Sequence, residues 1–169
     1  MKILQIGFGN AARMHRQGFQ KEKRGEVIGV IDTDPKKIEE AEKQGFPAFL
    51  DIGSAISALR EEIDVWDICT PNETHLSVMK DALEKSVKKI IVEKPICIPS
   101  QISEMDALLN RFPTAKICVE ETYLGSGIVK SVREKSEEYG LLRPDILTEF
   151  SKNRISDILK GRFIDTEMG

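Results

Sequence analysis

Four short stretches of this chain place reactive or phosphate-friendly residues at telling intervals. Gly7-Phe8-Gly9-Asn10-Ala11-Ala12 follows the pattern G-x-G-x-x-A. The first glycine allows a tight turn, the second lets a pyrophosphate approach the backbone, and the small third position permits close helix–sheet packing. Asp32 closes the run EVIGVI at residues 26–31. An acidic side chain there accepts hydrogen bonds from a ribose 2′-hydroxyl and repels a 2′-phosphate. Thr70-Pro71-Asn72-Glu73-Thr74-His75 follows a third apolar run, and Glu93-Lys94-Pro95 interrupts a fourth. A buried unpaired charge costs several kcal/mol, so Glu93 and Lys94 must sit where a strand emerges into solvent or a pocket.

These stretches need a frame that brings them together. The pattern alternates strands at 2–6, 26–31, 46–50, 64–69, 88–92 and 116–120 with helices at 11–23, 35–43, 53–60, 72–86 and 100–111. Ala12, His15 and Phe19 share one face of the first helix. Leu76, Met79 and Leu83 share one face of the fourth, and Ile102, Met105, Leu108 and Leu109 point inward from the fifth. Asp34 caps the second helix, with Pro35 at its first position. Strands separated by single helices predict a doubly wound parallel sheet, a Rossmann-type α/β fold. Ligands of such sheets bind outside the carboxyl ends of the strands. All four stretches fall there.

The same residues admit plainer roles. Thr70, Pro71 and Glu73 suffice as a helix-capping box, with or without a ligand. His75 reads as structural or as a supporting residue rather than a catalytic one. Lys94 is either solvated beside an ion-pair partner or held in the cofactor crevice.

After residue 121 the pattern changes. A glycine-broken entry leads to an amphipathic helix with Ile128, Val132 and Tyr139 on one face, then to a half-buried strand at 144–152. One helix and one strand do not make a domain. Residues 1–121 are therefore expected to form a dinucleotide-binding domain. Residues 122–169 are expected to begin an α+β substrate or oligomerisation domain that is cut short.

Composition excludes several classes. Forty per cent hydrophobic and 31% charged residues suit a packed globular protein rather than a disordered one. No apolar run approaches the roughly 18 residues of a membrane span. The start, MKILQIGFGN, lacks the long apolar region of a secretory signal. A net charge of −3 gives no footprint for nucleic acid. Cys69, Cys97 and Cys118 form no CxxC pair and read as buried thiols in a reducing cytoplasm. No metal-ligand spacing stands out.

Taken together, Gly7–Ala12 with His15 just inside the helix, Asp32, Thr70–His75 and Glu93-Lys94-Pro95 resemble the Gfo/Idh/MocA family, named for glucose–fructose oxidoreductase and inositol dehydrogenase. The resemblance covers about residues 1–120. It implies an NAD(P)-dependent oxidoreductase that moves a hydride between nicotinamide and a secondary alcohol of a sugar, sugar derivative or cyclitol. It implies cofactor contacts from Gly7, Phe8, Gly9, Asn10, Ala11, Asp32, Thr70, Pro71, Asn72, His75, Glu93 and Lys94. Lys94 becomes the catalytic cation at the substrate hydroxyl, oriented by Glu93, and a cis Lys94–Pro95 bond is plausible. NAD is expected over NADP, because no arginine directly follows Asp32. The partners expected are a small polyol or sugar and further copies of the same chain.

Two departures stand out. Glu167-Met168-Gly169 looks like the beginning of the family's D-x-G-x-H-like element, which supplies the catalytic histidine. The sequence after the sixth strand has Glu120 and Glu121 but lacks the family's arginine. The chain as given is thus expected to bind cofactor with little turnover. The alternative is a non-catalytic NAD(H)-binding module serving as a redox-responsive or assembly partner.

Overall fold

The computed structural model describes residues 1–60, 62–121, 127–138 and 140. Six strands form one parallel sheet: β1 (Lys2–Ile6), β2 (Glu26–Ile31), β3 (Ala48–Phe49), β4 (Val65–Ile68), β5 (Lys89–Glu93) and β6 (Lys116–Glu120). Their order is β3-β2-β1-β4-β5-β6. Helices α1 (Asn10–Glu22), α2 (Pro35–Lys43), α3 (Ile52–Ala58), α4 (His75–Glu84) and α5 (Ile102–Arg111) make the crossovers. This is the doubly wound Rossmann-type sheet that the sequence predicts. The order reverses between β1 and its neighbours β2 and β4, which opens a crevice at their carboxyl ends.

Alternation along the strands sorts residues to the two faces. Leu4 and Ile6 of β1, Trp66 and Ile68 of β4, and Ile90 and Val92 of β5 join Leu76, Met79 and Leu83 of α4 and Met105 and Leu108 of α5 in the larger core. A smaller cluster of Phe8, Val30 and Ala41 packs with Val27, Phe46 and Ala48. Full burial of each such side chain stabilises by about 1.5–3 kcal/mol.

Several elements differ from expectation. β3 shrinks from five residues to Ala48–Phe49. Pro47, which has no N–H to donate, contributes only its carbonyl, accepting from Val30 N–H at 2.9 Å. Thr70 is not a helix cap. The chain first makes a 3₁₀ turn over Asn72–Thr74, and α4 begins at His75. Ile102 is 54% exposed rather than inward. It is the first residue of α5, at the end of that helix nearest the carboxyl edge of the sheet. The Asp34 cap holds: its side chain accepts from Lys36 N–H at 2.9 Å, with Pro35 opening α2.

The chain divides into two compact units, Met1–Leu124 and Gly125–Gly169. The second contains α6 (Gly127–Glu138). Tyr139, the strand expected at 144–152 and Glu167–Gly169 lie outside the described residues. Among those described, no helix is long and apolar enough to cross a membrane.

Candidate functional site

A cavity of about 450 Å³ opens at the point where the strand order reverses. The glycine loop forms one wall. Gly7 has φ +94°, and a Cβ added there would lie 2.6 Å from the Cys69 carbonyl oxygen. Only glycine meets both demands. A Cβ on Gly9, by contrast, would meet nothing within 4 Å. Gly9 caps α1 with no side-chain hydrogen bond, and no acidic residue occupies the first turn. No acidic side chain of α1 itself competes at its positive end, which suits a pyrophosphate.

Asp32 stands across the loop. Its Oδ2 accepts the Phe8 N–H at 2.8 Å and its Oδ1 accepts the Asp34 N–H at 2.9 Å. Both oxygens keep lone pairs for ribose hydroxyls. Ile6, Ile31, Thr33 and Cys69 complete the lining with Thr70 and Pro71. Thr74 Oγ1 donates to Pro71 O at 2.7 Å and sits 2.8 Å from Thr70 Oγ1, which fixes that loop.

Eight of the residues singled out from sequence thus line one cavity: Gly7, Phe8, Gly9, Asn10, Ala11, Asp32, Thr70 and Pro71. The other four lie apart from it. Asn72 opens the 3₁₀ turn just beyond. His75 is fully buried, with Nδ1 2.9 Å from Pro95 O and Nε2 2.9 Å from Thr70 O, so it ties the loop after β4 to the turn after β5. Glu93 and Lys94 occupy the end of β5 and the turn that follows. The Lys94–Pro95 bond is cis. Lys94 is exposed, and among the described residues its Nζ has no ion-pair partner. Glu93 does not meet the Lys94 ammonium. Its Oε2 accepts the Lys94 backbone N–H at 3.1 Å, and its Oε1 lies 3.2 Å from His15 Nε2.

Sequence reasoning missed the polar network beneath this edge. Gln5 and Asp67 are direct neighbours across β1 and β4, and both are fully buried. Gln5 Nε2 donates to Asp67 Oδ2 at 2.7 Å and to Ala12 O at 3.1 Å, while Arg16 Nη1 donates to Gln5 Oε1. The Arg16 guanidinium stacks 4.1 Å from the Phe8 ring centroid. His15 Nδ1 lies 2.8 Å from Asp67 Oδ1. The available signal was a polar residue inside each of two apolar strands.

Burial works against charge on His15, but the hydrogen bond to Asp67 and the charges of Asp67, Glu93 and Glu120 outweigh it. The imidazole pKa is held above its ordinary 6.5. Burial, with help from Asp67 and Glu93, pushes the Cys69 thiol far up. Burial also lowers the Arg16 guanidinium from its ordinary value. His15, Asp67 and Cys69 bring one nitrogen, one oxygen and one sulfur within 4.8 Å of one another. The Cys69 thiol is held protonated there. The cysteines are free but not fully buried as expected: Cys69 and Cys97 are half-buried and Cys118 is exposed. Cys118 lies on β6, the last strand in the sheet order, where the end of the sheet leaves it open to solvent.

Residues 1–123 match the model of the Gfo/Idh/MocA oxidoreductase family, described as its NAD-binding Rossmann fold. The chain belongs to this family. The Gfo/Idh/MocA match covers the whole sheet and the crevice, so the cofactor domain is the NAD-binding one. UDP-N-acetylglucosamine 3-dehydrogenase from Acidithiobacillus ferrooxidans is 29% identical over 114 residues, 65% of this chain and 33% of that protein. Scyllo-inositol dehydrogenase from Lactobacillus casei, solved with NAD(H) and scyllo-inositol, superposes with a TM-score of 0.71 at 18% identity. The match covers 84% of this chain and 42% of that one. The WlbA dehydrogenase from Chromobacterium violaceum, solved with NADH and UDP-GlcNAcA, gives 0.71 at 18% identity over 85% and 41%. The chain spans a third of the curated relative and about two fifths of these structures.

Proposed function

We propose that this chain is the cofactor-binding part of an NAD-dependent dehydrogenase acting on a secondary alcohol of a sugar, sugar derivative or cyclitol. The observation that carries the reading is the arrangement of four adjacent strand ends, β2, β1, β4 and β5. The glycine loop and Asp32 grip the dinucleotide from β1 and β2, and the loop after β4 closes its other side. The Glu93-Lys94-Pro95 turn after β5 then stands at the reacting end. The sugar and inositol dehydrogenases that the chain resembles support this substrate class.

In this reading Gly7–Ala11 hold the pyrophosphate on backbone amides and the α1 dipole. Asp32 accepts the ribose hydroxyls and disfavours a 2′-phosphate, so NAD is preferred over NADP. The bound nicotinamide supplies the hydride acceptor for the carbinol carbon. Lys94 directs its ammonium at the substrate oxygen and stabilises the alkoxide charge that develops as the hydroxyl proton passes to a base supplied by the substrate domain. His75 fixes the turn by holding Pro95 against Thr70. Residues 122–169 begin an α+β domain that carries part of the substrate floor. The whole enzyme works as a homo-oligomer in the cytoplasm, and the 169-residue chain alone binds cofactor with little turnover.

The test is calorimetric titration with NADH and NADPH, followed by assay of a longer chain on a panel of sugars, nucleotide sugars and cyclitols. Saturable binding with NADH preferred, and turnover lost in Lys94→Ala at unchanged cofactor affinity, is the expected result. Cofactor binding with no turnover by any longer chain would favour the non-catalytic NAD(H)-binding module instead.

A further inference from the structure

His15 touches two carboxylates at once, one through each ring nitrogen: Asp67 at 2.8 Å and Glu93 at 3.2 Å. Ionised carboxylates only accept, and a neutral imidazole carries one N–H. Both contacts are hydrogen bonds only when the ring is an imidazolium. Among the described residues, the other charged or titratable groups around it are Cys69 after β4, Glu120 on β6, Arg16, Glu22 and Arg24 on or just after α1, and the Met1 N-terminal ammonium, which bonds to Arg24 O.

The two contacts are unequal. Asp67 is fully buried, and its second oxygen is pinned by Gln5, which Arg16 pins in turn. The Glu93 side chain is 21% exposed, so water can replace its partner. A ring that loses one proton keeps its N–H on Asp67 and turns a lone pair toward Glu93. Glu93 then swings away. Its second oxygen holds the Lys94 backbone N–H, so the start of the Lys94-Pro95 turn moves with it.

We propose that His15 is a positioning residue, whose imidazolium clamps Glu93 and so sets the direction of Lys94 according to the proton it carries. The consequence for turnover rests on the reading of Lys94 as the catalytic cation. The clamp itself does not. In the active enzyme, loss of the proton lowers kcat while cofactor KM is set elsewhere, at the glycine loop.

The chain has only two histidines, His15 and His75, so their ring signals can be assigned by comparison with His15→Gln. The test is NMR titration of the 169-residue chain between about pH 5 and 9, following the ring nitrogens and the Lys94 backbone amide. The expected result is a Lys94 amide that titrates with the His15 midpoint. That midpoint should fall by about half a pH unit or more in Glu93→Gln, and the Lys94 titration should vanish in His15→Gln. Glu93→Gln alters a partly exposed side chain, so it keeps the test open if His15→Gln folds poorly. A Lys94 amide that ignores His15, or a His15 midpoint unmoved by Glu93→Gln, overturns the clamp even if a longer chain is active. Coupled titration in a protein inert on every substrate supports the clamp and overturns only the role of Lys94 in catalysis.

Discussion

Asp32 Oδ2 accepts the backbone N–H of Phe8 at 2.8 Å, tying the carboxyl end of β2 to the middle of the glycine loop. The carboxylate is therefore positioned by the fold before a ribose reaches it. Asp32→Ala removes both the tether and the ribose acceptor. NADH affinity should fall at least tenfold, about 1.4 kcal/mol. The gap between NADH and NADPH should narrow, because the anion facing a 2′-phosphate is gone. Calorimetry on both cofactors checks this; an unaltered NADH affinity would show that Asp32 serves the loop alone.

The two loop glycines should fail in different ways. Gly7→Ala forces a left-handed backbone and a backbone clash with Cys69, and should lose at least about 2 kcal/mol in urea unfolding. Gly9→Ala meets open space at an extended φ of −89°, so stability should stay within about 0.5 kcal/mol. Its methyl still intrudes where a pyrophosphate must approach, and NADH affinity should drop. Equal stability of the two variants would refute this division.

His15 also links folding to pH. Its folded-state pKa lies above the ordinary 6.5. The stabilisation is therefore complete below that ordinary value and is lost as pH rises through the folded-state value. Between about pH 6 and 9, the urea midpoint of the parent should fall relative to that of His15→Gln. A difference between the two that stays constant with pH would contradict the Asp67–His15–Glu93 geometry.

The thiols should react in a fixed order. Burial, Asp67 and Glu93 hold Cys69 protonated, and burial with Asp106 raises Cys97 more modestly. Cys118 is exposed. Iodoacetamide at about pH 8 should label Cys118 first and Cys69 only on unfolding. Peptide mapping by mass spectrometry reads the order, and early labelling of Cys69 would mean the thiol is not held as described.

The sequence made the frame readable because each signal was local. Short apolar runs marked β1 and β2, Asp34-Pro35 marked the start of α2, and the spacing of Gly7 and Gly9 marked the loop. The His15 network was not readable, because it depends on register. Gln5 faces Asp67 only because β1 and β4 pair in parallel sixty-two residues apart. Glu93 reaches His15 only because β5 lies beside β4 with Ile91 opposite Asp67, two residues before Glu93 on the same face. Thr70 was misread for a related reason. Thr-Pro-x-Glu can cap a helix directly, but here Thr74 bonds back to Pro71 and a 3₁₀ turn precedes α4.

The strand order has a consequence during synthesis. β1 leaves the ribosome before either of its neighbours, yet it ends in the middle of the sheet between β2 and β4. The residue that pairs with Ile3 on the β4 side is Val65. At about 5–20 residues per second, that partner emerges on the order of 3–12 seconds later. Until then, the newborn chain holds its future centre as an open edge, with Leu4 and Ile6 lacking their cover and Gln5 lacking Asp67. The nascent protein is thus most exposed to wrong pairing at its most central strand, and a factor that shelters the first thirty or so residues would raise its yield more than one acting on the finished sheet.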